Sequence, residues 1–213
     1  MIELSEYEVH EMERFYFCLE RGDVYSIYAD SINLAHLFLK ILATLVPPTF
    51  GTYRFKNNTL DFSDYRNLLP FKRKIGYIAQ GASLLSNRTI RMNLLLMRYY
   101  FENSLDIELD EDALKLCKIF NISDKLDKRA SEIDLMDIRA AILVRELIKS
   151  PELILLEFPE DYISYNLFEP FVDILKNIIS KEVPLVFISY DKKFASDIAN
   201  KTIILTKNGP KFY

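Results

Sequence analysis

The stretch YADSINLAHLFLKIL, residues 28–42, decides the fold because it turns a strand-like segment directly into a buried helix. The residues before the turn, 24–28, are mostly apolar and β-branched or aromatic, which is typical of a strand. The apolar residues after the turn recur at helical spacing: Leu34, Leu37, Phe38, Ile41, Leu42 and Leu45. Asp30 or Ser31 can cap this helix, and a pair of prolines is expected to end it. Such a turn can hold a phosphate, yet this one contains neither glycine nor lysine.

Glycine is scarce in this chain, and its scarcity limits what the turn can bind. The sequence has five glycines in 213 residues, whereas average proteins contain roughly 7% glycine. They are isolated from one another, at Gly22, Gly51, Gly76, Gly81 and Gly209. Close approach of the backbone to a phosphate needs glycine, because a Cβ atom would block it. The sequence therefore cannot build a glycine-rich phosphate loop.

The rest of the chain alternates between strand and helix patterns. Further strands are predicted at residues 53–55, 75–79, 153–156, 185–190 and 203–206. Further helices are predicted at residues 93–101, 111–120, 135–148, 167–179 and 193–199. The segments LILL and LVFIS are continuously apolar, which is typical of a parallel sheet covered by helices on both faces. We predict an α/β fold, a single domain over residues 1–213, with a helical subdomain at about residues 86–148 inserted between strands.

Composition and charge exclude several classes of protein. Half of the residues are hydrophobic, the net charge is −4 and the sequence pI is about 5.4. Because there is no basic tract, nucleic acid is not expected as a partner. The longest apolar run, residues 34–46, is too short to cross a membrane and contains charged Lys40. Cys18 and Cys117 are isolated, so we expect reduced, buried cysteines in a cytosolic protein.

Four segments, in the same order and at similar spacing, resemble the ATP-binding subunit of ABC (ATP-binding cassette) transporters. They are LERGDVYSIYADSINLAHLFLKILATLVPPTFGTYRF, FKRKIGYIAQGASLLSNRTIRMNL, ASEIDLMDIRAAILVRELIKSPELILLEFPE and VPLVFISYDKKFASDIANKTIILTKNG. They are similar to the phosphate-loop region, the Q-loop region, the signature helix with the Walker B strand, and the switch region. The resemblance runs from about residue 20 to residue 208. It implies a P-loop NTPase-like parallel sheet flanked by helices, with an inserted helical subdomain.

The family's phosphate loop, GxxGxGK[ST], aligns with a stretch that starts at Ala29 and lacks its binding groups. Two of the glycines fall on Ile32 and Leu34, whose side chains would fill the space that a phosphate needs. The lysine that reaches the β- and γ-phosphates falls on Ala35, and the hydroxyl that holds Mg²⁺ falls on His36. The resemblance therefore implies a degenerate loop, and neither ATP nor Mg²⁺ is expected as a cofactor.

The family's catalytic motifs are substituted as well. The signature LSGGQ falls on residues 133–137, IDLMD, where bulky and acidic residues replace groups that contact a partner's nucleotide. The Walker B acid falls on Glu157, a partial match. The catalytic glutamate falls on Phe158, whose ring can neither take nor orient a proton, and the switch histidine falls on Tyr190. We therefore expect no catalytic residue in this chain.

Two groups of side chains near the degenerate loop admit more than one interpretation. Glu157, Glu160 and Asp161 form an acidic cluster at a strand end, which is either a metal site or a solvated loop. Because no histidine or cysteine supports a metal site, we favour the solvated loop and expect no metal. His36 is either a weak phosphate partner or a residue that packs or caps on the first helical turn, and we favour the second role. Asp30 adds a carboxylate that would compete with a phosphate.

Contact with a membrane subunit is implied for three residues. Gln80 falls on the family's Q-loop glutamine, although it can equally be an ordinary polar residue at a strand end. The stretch NLLLMRYYF, residues 93–101, contains Met97 and Tyr99 and is rich in leucine, methionine and aromatic residues. Such a stripe is more often core. In this family, however, the adjoining surface receives the coupling helix of a membrane subunit, so we favour a partner groove.

We predict a catalytically degenerate ABC ATPase-like subunit, a pseudo-ATPase, with a structural or regulatory role. It would dock on an integral membrane ABC subunit, peripheral on the cytoplasmic, inner face of the cell membrane, as a homodimer or a heterodimer with another ABC ATPase. The pattern LLxxRTxxxN, residues 84–93, is similar to the cell-division ABC ATPase, and QGASLL to lipid-trafficking ABC ATPases. The alternative is a divergent but active ABC ATPase that binds ATP and Mg²⁺ and powers transport, for example of lipids. A free scaffold without a membrane partner is a third hypothesis.

Overall fold

The computed structural model of the protein describes residues 1–206 and 209–213; residues 207 and 208, at the end of the family resemblance, lie outside the described residues. The strands are β1 (Ile2–Val9), β2 (Met12–Leu19), β3 (Val24–Ala29), β4 (Phe50–Phe55), β5 (Asn58–Thr59), β6 (Ile75–Ile78), β7 (Leu153–Glu157), β8 (Leu185–Ile188), β9 (Lys201–Thr206) and β10 (Gly209–Phe212). The helices are α1 (Ile32–Leu42), α2 (Tyr65–Lys72), α3 (Ile90–Glu102), α4 (Glu111–Ile119), α5 (Leu135–Leu147), α6 (Pro159–Tyr162), α7 (Tyr165–Ser180) and α8 (Lys192–Ile198).

The larger sheet has six strands in the order β10-β9-β3-β8-β7-β6. Strands β9, β3, β8, β7 and β6 are parallel, and β10 adds an antiparallel strand at one edge. These parallel strands are the ones predicted at residues 24–28, 75–79, 153–156, 185–190 and 203–206. The α/β, P-loop NTPase-like fold class is therefore confirmed. Because the strands are parallel, their carboxyl ends meet at one edge and bring the following loops together.

A second, antiparallel sheet was not predicted; its strands follow the order β2-β1-β4-β5. The predicted strand at residues 53–55 is the end of β4 and pairs with β1. From Phe15 onward the buried residues of β2 alternate with exposed ones, as in a half-buried strand: Phe15, Phe17 and Leu19. In β1 a register shift between Leu4 and Tyr7 interrupts the alternation of buried and exposed residues. The sequence of this acidic segment therefore does not show the strand pattern. Helix α2 was also not predicted, because Pro70 inside it reads as a helix break.

Helix α1 packs between the two sheets. It contacts β3, β8 and β9 of the larger sheet. On its other side, Phe38 contacts Phe15 and Phe17 of β2, with ring centroids 6.0 and 5.3 Å apart. The crossover from β3 to α1 therefore forms part of a core that both sheets need, independently of any ligand.

The ends of α1 differ in detail from the prediction. Ser31, not Asp30, is the N-cap, since its hydroxyl accepts a hydrogen bond from the Asn33 N–H. The helix ends at Leu42, before the prolines, because Thr44 takes a left-handed φ of +57°. The buried Tyr53 hydroxyl donates to the Leu42 carbonyl at 2.9 Å and satisfies it at the helix end.

Residues 86–148, all of which the structure describes, contain helices α3, α4 and α5, two short 3-10 turns and no strand. An isolated bridge between Thr89 and Arg129 closes this segment at its base. Helix α5 packs against α3 and α4 on one side and against β6 on the other. It therefore attaches the inserted helices to the parallel sheet.

Two sequence expectations concern the environment of the chain. Across residues 1–206 and 209–213, none of the helices combines the length and apolarity that crossing a bilayer requires. Cys117 is buried, as expected, whereas Cys18 is exposed, so the expectation of burial was wrong for Cys18. Cys18 lies in β2, where its neighbours Phe17 and Leu19 point to the core instead.

We expect Phe38→Ala to lower the free energy of unfolding by about 3–5 kcal/mol, because it leaves a cavity between the two sheets. Urea unfolding followed by far-UV circular dichroism measures the change. The control is Tyr100→Ala, since Tyr100 is 62% exposed on α3; it should change the free energy by no more than about 0.5 kcal/mol. Equal losses in the two variants would contradict a central role for Phe38.

Candidate functional site

The loops after β3, β6 and β7 meet beside a cleft of about 1200 Å³ at the carboxyl edge of the larger sheet. Helix α1 lines the cleft with Leu34, Leu37 and Lys40, and the loop after β6 lines it with Gln80. Glu157, the last residue of β7, also lies at the cleft. The fold thus brings together the positions that correspond to the family's phosphate loop, Q-loop and Walker B acid.

The residues aligned with the phosphate loop are largely helical, because α1 already starts at Ile32. The Ser31 hydroxyl accepts a hydrogen bond from the Asn33 N–H at 3.3 Å. The Ser31 carbonyl accepts from the N–H groups of Leu34 and Ala35 at 3.1 and 3.4 Å. These N–H groups, which a phosphate would use, are therefore engaged in the cap of the helix itself.

The side chains at the loop positions provide no positive charge. Ala35 is 1% exposed and belongs to the core, whereas Ile32 is exposed and apolar. Asp30 is exposed and adds a negative charge next to them. Lys40 reaches the same cleft, but it lies about 7.5 Å further along the helix axis than Ala35. These residues do not fit the triphosphate of a nucleotide.

Glu157 is the centre of a buried hydrogen-bond network and is only 3% exposed. Its Oε1 accepts a hydrogen bond from the Tyr77 hydroxyl at 2.5 Å and lies 3.0 Å from Nδ1 of His36. Its Oε2 accepts from the Gln80 backbone N–H at 2.7 Å. The interpretation of Glu157 as part of a solvated loop was therefore wrong. A carboxylate excluded from water needs such partners, and here they come from α1, β6 and the loop after β6.

His36 packs, as the favoured interpretation expected, since its ring meets that of Phe158 edge-on. Its Nδ1 also faces Glu157, a contact that the sequence analysis did not consider. Sequence spacing offers no signal for this pair, since the two residues lie in distant segments. The residues at the family's Mg²⁺-hydroxyl and Walker B positions thus contact each other directly.

Tyr77 is held from two sides. Its hydroxyl donates to Glu157, and its backbone N–H donates to Oε2 of Glu146 at 3.2 Å. Glu146 is itself buried and paired with Arg145 and Lys149. Burial, the hydrogen bond to Glu157 and the charge of that carboxylate raise the pKa of Tyr77 far above its usual range. The hydroxyl therefore remains protonated and donating at any physiological pH.

The other members of the acidic cluster have separate partners. Oε1 of Glu160 accepts from the Ser189 hydroxyl and from the Asp191 N–H. The Asp161 carbonyl accepts from Arg139. Among the residues that the structure describes, no group of three or more His, Cys, Asp or Glu side chains could hold a metal ion. Glu160 and the Asp161 carbonyl therefore attach α6 to the loop after β8 and to α5.

Aromatic rings occupy the positions of the catalytic glutamate and the switch histidine. Phe158 and Tyr190 are stacked, with centroids 4.1 Å apart and planes 15° apart. The His36 ring meets Phe158 at 5.9 Å in an edge-on arrangement. Phe158 is 1% exposed and has a left-handed φ of +48°, a conformation that a bulky residue keeps only when its surroundings enforce it. None of these groups is a carboxylate placed to act as a general base.

The pattern LLxxRTxxxN has a structural role. Thr89 is the N-cap of α3, since its hydroxyl accepts from the Met92 N–H at 3.2 Å. Asn93 is buried, and its side chain accepts from the Leu85 N–H at 2.7 Å and donates to the Leu85 carbonyl at 3.1 Å. Thr89 thus caps the helix and Asn93 closes the loop before it. Any protein with this loop could need both contacts, so they do not distinguish one subfamily from another.

The three residues predicted to contact a partner differ in their surroundings. Gln80 is exposed at the cleft, and its backbone N–H donates a hydrogen bond to Glu157. Met97 is half-buried, and Tyr99 packs against the core of the helical segment. The exposed apolar residues of α3 lie one turn apart on another face: Met92, Leu96 and Tyr100. Their spacing of four was visible in the sequence, although we selected Met97 and Tyr99 by composition.

Comparisons with known proteins bear on the fold and on the overall sequence. No protein-family model matches the chain. It is similar to TcyC, an L-cystine import ATP-binding protein of Bacillus subtilis, with 23% identity over 90% of this chain and 81% of TcyC. It is also similar to MacB, a macrolide export ATP-binding/permease protein of Campylobacter jejuni, with 27% identity over 90% of this chain and 30% of MacB. The chain thus spans most of the first relative and under a third of the second.

Solved structures share the fold. A dimeric structure of MJ0796, a bacterial ABC transporter cassette, matches with a TM-score of 0.82 and 19% identity, over 98% of this chain and 95% of that one. A second MJ0796 dimer, in a post-hydrolysis state bound to ADP and Pi, matches with a TM-score of 0.83 over 100% of this chain and 98% of that one. The chain therefore has the fold of the ATP-binding subunits of ABC transporters and resembles them in sequence along nearly its whole length.

Proposed function

We propose that this chain is a catalytically degenerate ABC ATPase-like subunit that docks on the cytoplasmic face of a membrane ABC-type complex. Its role there would be structural or regulatory, as a homodimer or paired with another ABC ATPase. The main observation in support is that both carboxylate oxygens of Glu157 already contact groups of the protein itself, which belong to His36, Tyr77 and Gln80. These contacts use the acceptor atoms that a nucleotide-bound cation would need.

Binding of Mg-ATP is disfavoured by charge as well as by space. A triphosphate at the start of α1 would meet Asp30 and Glu157 without a lysine at position 35. It would also have to displace the N–H groups of Asn33, Leu34 and Ala35 from the Ser31 cap. Both effects oppose binding, because burying unpaired negative charge is costly.

The substitutions also lower the expected rate of ATP hydrolysis. Loss of one electrostatic donor typically lowers a rate by about 10²–10³, and loss of a general base lowers it by about 10²–10⁴. Here Ala35, Phe158 and Tyr190 replace the lysine, the catalytic glutamate and the switch histidine of the family. Together these losses predict that ATP hydrolysis is undetectable.

The competing proposal is a divergent but active ABC ATPase that powers transport, for example of lipids. It is favoured by the relatives, since TcyC and MacB are named as ATP-binding proteins of import and export. It would require nucleotide to bind away from the Glu157 contacts, or to break those contacts on binding. The two proposals differ in one measurable property, which is the response to Mg-ATP.

We expect no rise in melting temperature when millimolar Mg-ATP is added to the purified protein, and no phosphate release. A ligand at 100 times its Kd would stabilise the protein by about 2.7 kcal/mol, which corresponds to a rise of about 5–10 °C for a domain of this size. An ABC ATPase with an intact phosphate loop serves as the positive control. The measurement is differential scanning fluorimetry combined with a phosphate assay.

A local reporter makes this test independent of stability. The chain contains no tryptophan, and Tyr190 is 66% exposed while stacked on Phe158. The Tyr190→Trp variant therefore carries a single tryptophan stacked on Phe158, the ring next to His36, and its emission, excited selectively at long wavelength, should not change with Mg-ATP. A thermal shift, or phosphate release that Glu157→Ala abolishes, would refute the pseudo-ATPase proposal.

The docking surface for a membrane subunit is proposed on α3 and the loop before it. Leu85, Met92, Leu96 and Tyr100 are all at least 40% exposed although they are large and apolar. An exposed apolar stripe at helical spacing suits a partner helix. The family resemblance assigns Gln80 and Met97 to the same contact. The assignment to cell division rests on LLxxRTxxxN and stays a prediction, because Thr89 and Asn93 are explained by the fold.

We expect Leu96→Asp to reduce co-purification of the chain with its membrane subunit by about tenfold or more, which is the loss typical of substituting an interface hot spot. The measurement is co-purification from detergent-solubilised membranes. Leu114→Asp is the matched control, since Leu114 on α4 is 44% exposed and Leu96 is 42% exposed. Met97→Asp and Gln80→Ala test the residues chosen from the family resemblance. Wild-type protein that is entirely free of membranes would instead support the scaffold hypothesis.

A further inference from the structure

The loop between β6 and α3, residues 79–89, is attached to the surrounding elements at several points. The Tyr162 hydroxyl on α6 donates to the Ala79 carbonyl, and Arg145 on α5 donates to the Ser83 carbonyl at 2.9 Å. Asn93 on α3 binds both the N–H and the carbonyl of Leu85. We call residues 79–89 the β6–α3 loop. Near its middle it carries the exposed Leu85 of the proposed docking surface.

The attachment at Gln80 differs from the others because it reaches across the cleft. Glu157 accepts the Gln80 N–H with one oxygen and faces His36 of α1 with the other. One side chain therefore connects the helix at the degenerate phosphate loop with the β6–α3 loop. It is almost inaccessible to water, so solvent does not replace either contact.

We propose that Glu157 is a positioning residue that acts as a built-in ligand, holding the β6–α3 loop in one position relative to α1 without any nucleotide. The proposal rests on the proposed function, in which the loop leads to a docking surface and the cleft does not take Mg-ATP. Its consequence is that the docking surface has the same geometry at every nucleotide concentration. The membrane subunit would therefore contact a docking surface that has a single conformation.

The length of the Glu157 side chain is essential to this role. Its two oxygens must reach His36 Nδ1 at 3.0 Å and Gln80 N at 2.7 Å at the same time. Aspartate keeps the charge but is one methylene shorter, so it cannot span both contacts from the same backbone position. Glutamine keeps the length and one carbonyl acceptor, but it loses the charge. The two variants therefore separate bridging from simple charge.

The test is amide hydrogen exchange of the nucleotide-free protein, measured by NMR. In the wild type, we expect the Gln80 amide to exchange slowly. Glu157→Ala and Glu157→Asp should accelerate this exchange by about tenfold to a hundredfold, as expected for loss of a charge-assisted hydrogen bond. Glu157→Gln should retain most of the protection. The amide of Leu85, which Asn93 holds, reports how far the release spreads along the loop.

A matched control separates local release from general loss of stability. Asp23 is also a buried carboxylate, at 6% exposure, and it accepts from Lys201 and from the Glu20 N–H. It precedes β3, away from the cleft. Asp23→Asn should lower the melting temperature while the Gln80 amide keeps its slow exchange relative to the core amides.

The possible outcomes separate the positioning role of Glu157 from the pseudo-ATPase proposal. Fast exchange of Gln80 in the nucleotide-free wild type would overturn the positioning role and leave the pseudo-ATPase proposal intact. So would equal protection in Glu157→Asp and the wild type, since charge alone would then suffice. Exchange at Gln80 that slows only after Mg-ATP is added, together with a thermal shift, would overturn both. A thermal shift with Gln80 already protected before addition would overturn the pseudo-ATPase proposal alone.

Discussion

The burial of the Glu157 carboxylate is the constraint on which the cleft depends. A carboxylate that water cannot reach must receive hydrogen bonds from the protein, or it destabilises the fold by several kcal/mol. Tyr77 and Gln80 provide them, from β6 and the loop after it, and Nδ1 of His36 on α1 lies 3.0 Å from the same carboxylate. The carboxylate that would face a nucleotide-bound cation in the related subunits has thus become part of the interior. This burial is the physical basis of the proposal that the chain keeps the ABC architecture without binding nucleotide.

The strand–turn–helix of the phosphate loop persists because the core needs it. Phe38 on α1 packs against the antiparallel sheet while the same helix contacts three strands of the parallel one. Glycine in a helix costs about 1 kcal/mol relative to alanine. Replacement of loop glycines by Ile32 and Leu34 therefore favours extension of α1 back to residue 32, as observed. The segment that binds phosphate in the related subunits is used here as the first turn of a packed helix.

Much of the fold could be predicted, because the parallel strands are continuously apolar and the helices have a clear period. The antiparallel sheet was missed because the register shift after Leu4 breaks the alternation of β1. At the site, the substitutions Ala35, Phe158 and Tyr190 were evident from alignment with the family pattern. The same alignment places His36 and Glu157 at the two positions that face one cation in the related subunits, but it does not show that the two side chains contact each other. Tyr99 was selected as a partner contact from the composition of its stretch, and composition does not reveal that its ring packs partly against the core.

The sequence by itself determined which chemical groups are absent: no glycine loop, no lysine at position 35 and no carboxylate at position 158. Absence of a group is a property of composition and order, so no coordinates are needed to establish it. Only the tertiary structure decided what fills the vacated positions, namely a helix cap at Ser31, a buried network at Glu157 and a stack of Phe158 on Tyr190. These contacts arise because parallel strands bring distant loops to one edge of the sheet, and sequence periodicity carries no information about which loops meet there.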